Sequence, residues 1–289
     1  MSGYLISLVP LLGINVILAM GLNVIAGFCG QISLGQAAFY GIGAYAAALL
    51  ALAGWPLWIV LPVVTAVTGA CGVAIGAVSL RVRDDFLAVT TIAVNFLFLG
   101  IVRKSAIMGG EVGLAGIPAS GLGQYGFVAL VAGLVIATVT LCLYIKSSWL
   151  GFAFVSIAED EHAARAIAIP VPAFKLAAFF IGSAMSGLAG VLYCYYARFI
   201  TPDAFNFLVS VSILAMVVIG GIGSVWGVFA GAILLTLFPE IIRFAGEYRQ
   251  LIYGAMLVLV MRFSPGGLAG IISAGALKGR FGRHRRVTA

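Results

Sequence analysis

Charge is what this sequence has least of. Asp, Glu, Lys and Arg make up 9% of its 289 residues and hydrophobic residues 63%, where a soluble domain carries roughly 25% and 45–50%. A sizeable water-soluble domain is thereby excluded. The nine acids all fall in loops or at the ends of apolar runs, so no paired carboxylate inside a span suggests a proton relay or a coupling-ion site. The two histidines, His162 and His284, lie in charged clusters, and no H-E-x-x-H occurs. Nor is there a G-x-x-x-x-G-K-[ST] loop to cradle ATP phosphates. The four cysteines, Cys29, Cys71, Cys142 and Cys194, have no C-x-x-C spacing; they read as small buried packing residues rather than a disulfide framework or metal site. The N-terminal MSGYLISLVPLLG has no basic n-region or A-x-A-like site, so no cleaved signal peptide is expected. These absences leave neither an enzyme nor a cofactor of the chain's own, and uphill work would draw its energy from elsewhere.

What is present is a series of apolar runs near 4–27, 36–53, 56–79, 86–102, 126–145, 174–196, 207–222, 225–245 and 250–262. A span needs about 20 apolar residues, so the fold class is an all-α, polytopic membrane helix bundle of about eight to ten spans. If the charged segment near residue 160 and the C-terminal tail share a side, Arg103, Lys104, Arg198, Arg243 and Arg249 fall on the other. The remaining basic residues, most of the total, then mark the first side as cytoplasmic. Nine crossings put the N-terminus outside, unless a broken segment near Gly30 reverses it. The net charge of +7 is concentrated in loops and in KGRFGRHRR (Lys278 to Arg286); it suits anionic lipid on the cytoplasmic side and requires no nucleic acid.

One stretch, WLGFAFVSIAEDEHAARAIAIPVPAFK (Trp149 to Lys175), is the main charged island. Glu159, Asp160, Glu161 and Arg165 within seven positions would cost on the order of 10 kcal/mol at the bilayer centre, so this segment lies in water. It reads as a short helix with the three acids in the first turn, at the positive end of the helix dipole. Glu161 and Arg165 are an i,i+4 pair, and Ala163, Ala166 and Ile167 form an apolar stripe on the opposite face. Pro170 and Pro172 stop it. Two readings stand: a solvated loop whose apolar face rests on headgroups, or a docking knob for a partner outside the membrane.

Two places break the apolar pattern. In GFCGQISLGQAAFYGIGAY (Gly27 to Tyr45), Gly30, Gln31, Ser33, Gly35 and Gln36 interrupt a membrane-depth run; the second break is GGIGSVWGVFAGA (Gly220 to Ala232). Non-helical backbone at that depth must be buried in protein or line a cavity. Paired breaks of this kind mark the translocation path of transporters built on an internal inverted repeat. Gln31, Ser33 and Gln36 are too polar for plain packing and are assigned to such a path. Gly223, Gly227 and Gly231 form a GxxxGxxxG stripe, most simply a close helix contact. Asn15, Asn23, Thr90, Thr91 and Asn95 are lone polar residues within spans, either functional or helix–helix hydrogen bonds. The Gly-rich loop from Ile107 to Gly126 reads as a flexible or surface-lying connection.

GLNVIAGFCGQISLGQAAFYGIGAYAAALL (Gly21 to Leu50) resembles the opening signature of the permeases of branched-chain amino acid ABC transporters. LRVRDDFLAVTT (Leu80 to Thr91), GGEVGLAGIP (Gly109 to Pro118), AEDEHAARAIAI (Ala158 to Ile169), GGIGSVWGVFAGAIL (Gly220 to Leu234) and FSPGGLAGI (Phe263 to Ile271) resemble later blocks of that family, in order. The acid-rich wording of the island is similar to the M-type of its two paired permeases. The resemblance implies one permease domain over 1–289, with a cytoplasmic coupling loop at about 147–174 and a basic cytoplasmic tail at about 264–289. It implies a multi-pass subunit of the bacterial inner membrane, paired with a second permease, in contact with membrane lipid and with its C-terminus cytoplasmic. Two cytoplasmic ATP-binding subunits holding ATP and Mg would power it, and a periplasmic solute-binding protein would deliver substrate. Glu159, Asp160, Glu161, Ala163, Ala164, Arg165, Ala166 and Ile167 would then be the segment that couples to an ATP-binding subunit.

Two departures stand out. The family often has Gly where this chain has Ala168, followed here by Pro170 and Pro172. It also commonly carries a G-E-I-V-R-like stretch in the fourth span, where this chain has Asn95, Phe96, Leu97, Phe98 and Leu99. Asn95 is placed with the path residues. The missing acid and base bear on the solute, because family members also handle urea, short amides, nucleosides or aromatic acids. A self-sufficient carrier or a lipid-acting membrane enzyme would need an ion site or a His/Asp or metal constellation that the sequence does not contain.

Overall fold

The computed structural model describes residues 2–80, 84–241 and 254. Ten α-helices account for most of them: α1 Ser2–Leu22, α2 Gln36–Leu52, α3 Leu57–Ser79, α4 Asp84–Lys104, α5 Gly123–Ser147, α6 Trp149–Glu159, α7 Glu161–Ala166, α8 Val171–Ala197, α9 Phe207–Gly220 and α10 Val225–Ile241. Among the described residues the only β-pairing is an isolated bridge between Leu114 and Ile200. Their mutual N–H···O=C bonds (2.9 and 3.0 Å) pin the Gly-rich loop after α4 to the chain after α8. Eight of the nine predicted runs appear as helices. The ninth, 250–262, lies outside the described residues except at Gly254, and the basic tail, Arg243 and Arg249 lie outside them too.

Among the described residues six segments are long and apolar enough to cross a membrane: Leu8–Phe28, Leu57–Ser79, Phe86–Lys104, Gly123–Ser147, Val171–Ala197 and Pro202–Gly220. The run at 36–53 forms α2, 17 residues long and so about 25 Å at 1.5 Å per residue, short of a full crossing; α10 is described as far as Ile241. Non-helical chain precedes each of them.

α8 is the hub. A Cβ on Gly43 of α2 would stand 2.6 Å from the Gly187 carbonyl oxygen, and one on Gly182 would stand 2.5 Å from that of Gly21 on α1. Only glycine lets these backbones come so close, the usual basis of helix association where the surrounding lipid is as apolar as the side chains. Outward-facing positions remain apolar, among them Trp58, Val67, Phe96, Leu97 and Ile136, as expected of a surface in hydrocarbon.

The helix ends fall into two groups. At one end Arg103 of α4 pairs with Asp203 at 2.8 Å, and Arg198 closes α8. At the other end lie Lys146 at the close of α5, then α6, α7 and the start of α8. The first turn of α4 joins this second end, for Leu87 and Ala88 share a cavity with Glu159 and Glu161.

Candidate functional site

The charged island holds two helices rather than one. α6 ends at Glu159, which is therefore not in the first turn of the helix that follows. Asp160 is extended (φ −157°, ψ 111°) and caps α7. Its Oδ1 accepts from the backbone N–H of His162 at 2.7 Å and of Ala163 at 3.2 Å, satisfying two of the donors a helix start leaves open. The Ala163 and His162 N–H groups hold the Asp160 carboxyl below the ordinary carboxylate range, since both bond its ionised form. Of the three acids expected in the first turn, only Glu161 is there.

α7 ends in a Schellman turn: Ala168 N–H donates to the Arg165 carbonyl and Ile169 N–H to that of Ala164, both at 3.1 Å. Ala168 occupies its left-handed position with φ +61°. That backbone explains why glycine suits the site: a Cβ is strained there and a hydrogen is not. Glu161 Oε2 accepts from Arg165 at 3.1 Å, the predicted i,i+4 pair, while Oε1 pairs with Lys175 of α8, a buried residue. Ala164 turns inward at 1% exposure; Ala163, Ala166 and Ile167 face out, Ile167 at 67%. The result is a short helix fixed at both ends and along one side, with an uncovered apolar face.

The two breaks touch each other. After α1 the chain winds into a π-helical turn, Asn23–Phe28, a feature frequent at functional sites. It then reverses at Gly30 (φ +72°), whose Cβ position lies 3.0 Å from Ala158 of α6, and continues without helix to Gly35. In the second break Gly223 N–H donates to Asn23 Oδ1 at 2.9 Å, and the Gly223 carbonyl accepts from Lys146 Nζ at 3.0 Å. Gly223 is therefore not part of a helical stripe: it sits in the turn between α9 and α10 with φ +79°. Gly227 and Gly231 do lie on α10, where a Cβ on Gly231 would stand 2.8 Å from Gly220 Cα of α9 and one on Gly220 2.5 Å from the Gly227 carbonyl oxygen. The GxxxGxxxG spacing mixes one turn residue with two contact residues.

The four residues assigned to a path are all buried, but they do not form one group. Gln36, the first residue of α2, donates through Nε2 to Ser186 Oγ and, at 3.4 Å, to the Gly182 carbonyl of α8. Asn95 Nδ2 lies 3.5 Å from Ser210 Oγ of α9, which also accepts from Ala37 N–H at 2.9 Å. Gln36 Oε1 and Asn95 Oδ1 have no hydrogen-bond partner among the described residues. These two residues, with Ser186 and Ser210, make a polar seam around the start of α2. Thr91 joins it by accepting from Leu34 N–H at 3.0 Å. Ser33 Oγ accepts from Gly35 N–H at 3.4 Å within the broken segment. Gln31 goes elsewhere: it lines a cavity of about 460 Å³ beneath α7, with Cys29, Glu159, Asp160, Glu161 and Lys175. Its Oε1 is also unpartnered.

Sequence reading missed Ser186, Ser210, Lys146 and Lys175. The serines recur at short spacings among small residues in GSAMSG (Gly182 to Gly187) and SVS (Ser210 to Ser212), a faint signal of a close, polar helix contact. Among the described residues no group of three or more His, Cys, Asp or Glu side chains could hold a metal ion. In the fourth span, Asn95, Phe98 and Leu99 face inward, while Phe96 and Leu97 are 59% and 64% exposed.

Comparison with known proteins agrees with this arrangement. The family model described as branched-chain amino acid transport system / permease component matches residues 4–261. The high-affinity branched-chain amino acid transport system permease protein LivM of Salmonella typhimurium is 34% identical over 88% of this chain and 67% of its own length, and that of Escherichia coli K12 likewise. The LivH permease of E. coli K12 is 30% identical over 47% of this chain and 44% of its own, a shorter match that favours the M-type. No solved structure matches. A broken, glycine-packed helical bundle with an exposed capped helix thus coincides with a match over nearly its whole length, and the chain belongs to the family of permease components of branched-chain amino acid transport systems.

Proposed function

We propose that this chain is the M-type half of the membrane pathway of an importer for a branched-chain amino acid or a closely related small solute. It pairs with a second permease in a bacterial inner membrane, with the α7 end cytoplasmic. Two ATP-binding subunits sit against that end, and a periplasmic solute-binding protein delivers substrate at the other. ATP and Mg belong to the ATP-binding partners; α7 is the segment through which one of them pushes this chain.

The observation that carries this reading is the state of α7. A six-residue helix has almost no intrinsic stability in water, yet this one is capped, closed by a Schellman turn and tied by Glu161, while its apolar face is left open. Rigid fixation plus an uncovered apolar centre, rimmed by Glu161 and Arg165, is the anatomy of an interface. The polar seam at the start of α2 supports a path nearby, because unpartnered amide oxygens in a helical interior are costly unless something polar passes. The buried Asn95 is uncharged and lies with the buried Phe98 and Leu99 on the inward face of α4, which suits a solute with an apolar side chain over a strongly charged one.

Ala163→Glu and Ala166→Glu test the docking role. A charge placed in an interface core without a partner costs about 2 kcal/mol or more, roughly thirtyfold in affinity. The ATP-binding subunits should dissociate from purified complexes of these variants, with loss of ATP-driven uptake in proteoliposomes and helical content unchanged. Wild-type uptake by both variants would remove the docking role. A ligand screen on the cognate solute-binding protein decides the solute; preference for urea, a nucleoside or an aromatic acid would replace the branched-chain assignment.

A further inference from the structure

Lys175 is a lysine that a membrane protein has no evident reason to bury. It is the fifth residue of α8, which starts at Val171, and its side chain is 7% exposed. Its partner, Glu161, is the first residue of α7 and is 21% exposed. The two oxygens of Glu161 are divided, Oε1 to Lys175 and Oε2 to Arg165. Exposed ion pairs contribute little, but a buried charge must keep its partner or become strongly unfavourable. Glu161 is thereby held to α8 by a contact that resists separation.

α7 has other attachments, the inward Ala164 and its joint with α6, whose Ala158 lies against Gly30, but its charged side reaches α8 through Lys175. The cavity of about 460 Å³ separates Asp160 and Glu161 from Gln31, Ile32, Leu87 and Ala88, so α7 does not bear on the broken segment or on α4 by close packing. α8 does: Gly182 and Gly187 lie against α1 and α2, and Ser186 accepts from Gln36 where α2 begins. A push on α7 that reaches α8 is delivered to the polar seam.

We infer that the Glu161–Lys175 pair is the strut that carries movement of α7 into α8, and that these are positioning residues which set how much solute moves per ATP hydrolysed. This rests on the reading of α7 as the docking helix. It goes further by naming the contact that makes docking mechanically useful.

The test uses the assembled transporter in proteoliposomes, measuring subunit association, ATP hydrolysis and uptake together. Lys175→Met should keep its ATP-binding subunits and go on hydrolysing ATP, while solute moved per ATP falls at least about fivefold, the lower end of ordinary coupling between sites; in the double variant E161Q/K175M, compared at equal occupancy by the ATP-binding subunits, the ratio should fall as far. Lys175→Arg, which preserves the pair, should restore the ratio. The double variant removes both charges of the pair together, so its ratio separates the strut from the penalty of an orphaned Glu161 or Lys175. Recovery of the normal ratio in the double variant would reduce the pair to charge compensation and overturn the inference. Loss of the ATP-binding subunits from K175M would also overturn it, since a side chain this buried is not a docking contact and the pair would then merely be shaping α7. Failure of the docking reading shows separately, as Ala163→Glu complexes that keep both their ATP-binding subunits and their uptake.

Discussion

Replacing Ala168 with glycine should stabilise the end of α7, and its size can be worked from the backbone. Ala168 sits at φ +61°, a conformation that costs a residue with a Cβ about 1–2 kcal/mol. Glycine removes that cost but adds about 0.4–1 kcal/mol of freedom to the open chain, leaving a net gain of about 0.5–1 kcal/mol. Since about 1.4 kcal/mol is tenfold in an equilibrium, the turn should open roughly two- to fivefold less often. The reporters are the amides that close the turn, Ala168 N–H on Arg165 O and Ile169 N–H on Ala164 O, whose hydrogen exchange measures local opening directly. In the chain embedded in lipid nanodiscs, both should exchange more slowly in Ala168→Gly by that factor, and faster in Ala168→Val, whose branched side chain tolerates positive φ worst. Amides within α5 serve as the internal standard and should not change. Equal exchange in the glycine variant and the parent chain would refute the strained turn, and with it the physical reason given for glycine in related permeases.

Two further outcomes are expected. Because the Ala163 and His162 N–H groups depress the Asp160 pKa, the cap stabilises α7 fully above the ordinary carboxylate range and is lost as pH falls through the depressed value. A fluorophore on Ile167→Cys should therefore report loosening only in acid, and Asp160→Asn, which keeps an uncharged acceptor, should abolish that dependence; an unchanged acid transition in Asp160→Asn would assign it to another group. Gln36→Leu removes both donations to α8 and leaves the Ser186 hydroxyl only its own donation to the Gly182 carbonyl at 3.0 Å, a loss of about 1–3 kcal/mol. Uptake should fall more steeply than the yield of assembled complex, and wild-type uptake would make Gln36 a packing residue.

Much of this was legible in one dimension. Helix positions followed from apolar runs because hydrocarbon forces every backbone group into internal hydrogen bonds, and the breaks at Gly30 and near Gly221 announced themselves by glycine and polar residues where neither is cheap. The exposed face of α7 could also be read, since Ala163, Ala166 and Ile167 follow the helical period. Relations between distant segments were out of reach. Asn23 and Gly223 are 200 positions apart, and neither residue alone distinguishes a hydrogen bond across the bundle from a lone polar side chain. Lys175 counts in the sequence only as one more cation on the cytoplasmic side; composition cannot show that it folds back onto Glu161, with a Schellman turn between them. The Gly223–Gly227–Gly231 spacing misled for a related reason: it is defined by sequence separation, while close packing depends on φ, and one glycine at +79° leaves the helix before the stripe begins. In each case the decisive quantity was a backbone angle or the burial of a charge, and the charges are the more instructive. A bundle this poor in ionised groups holds Lys175 inside against Glu161, and the few buried charges of such a protein mark the contacts between elements that it is least able to let go.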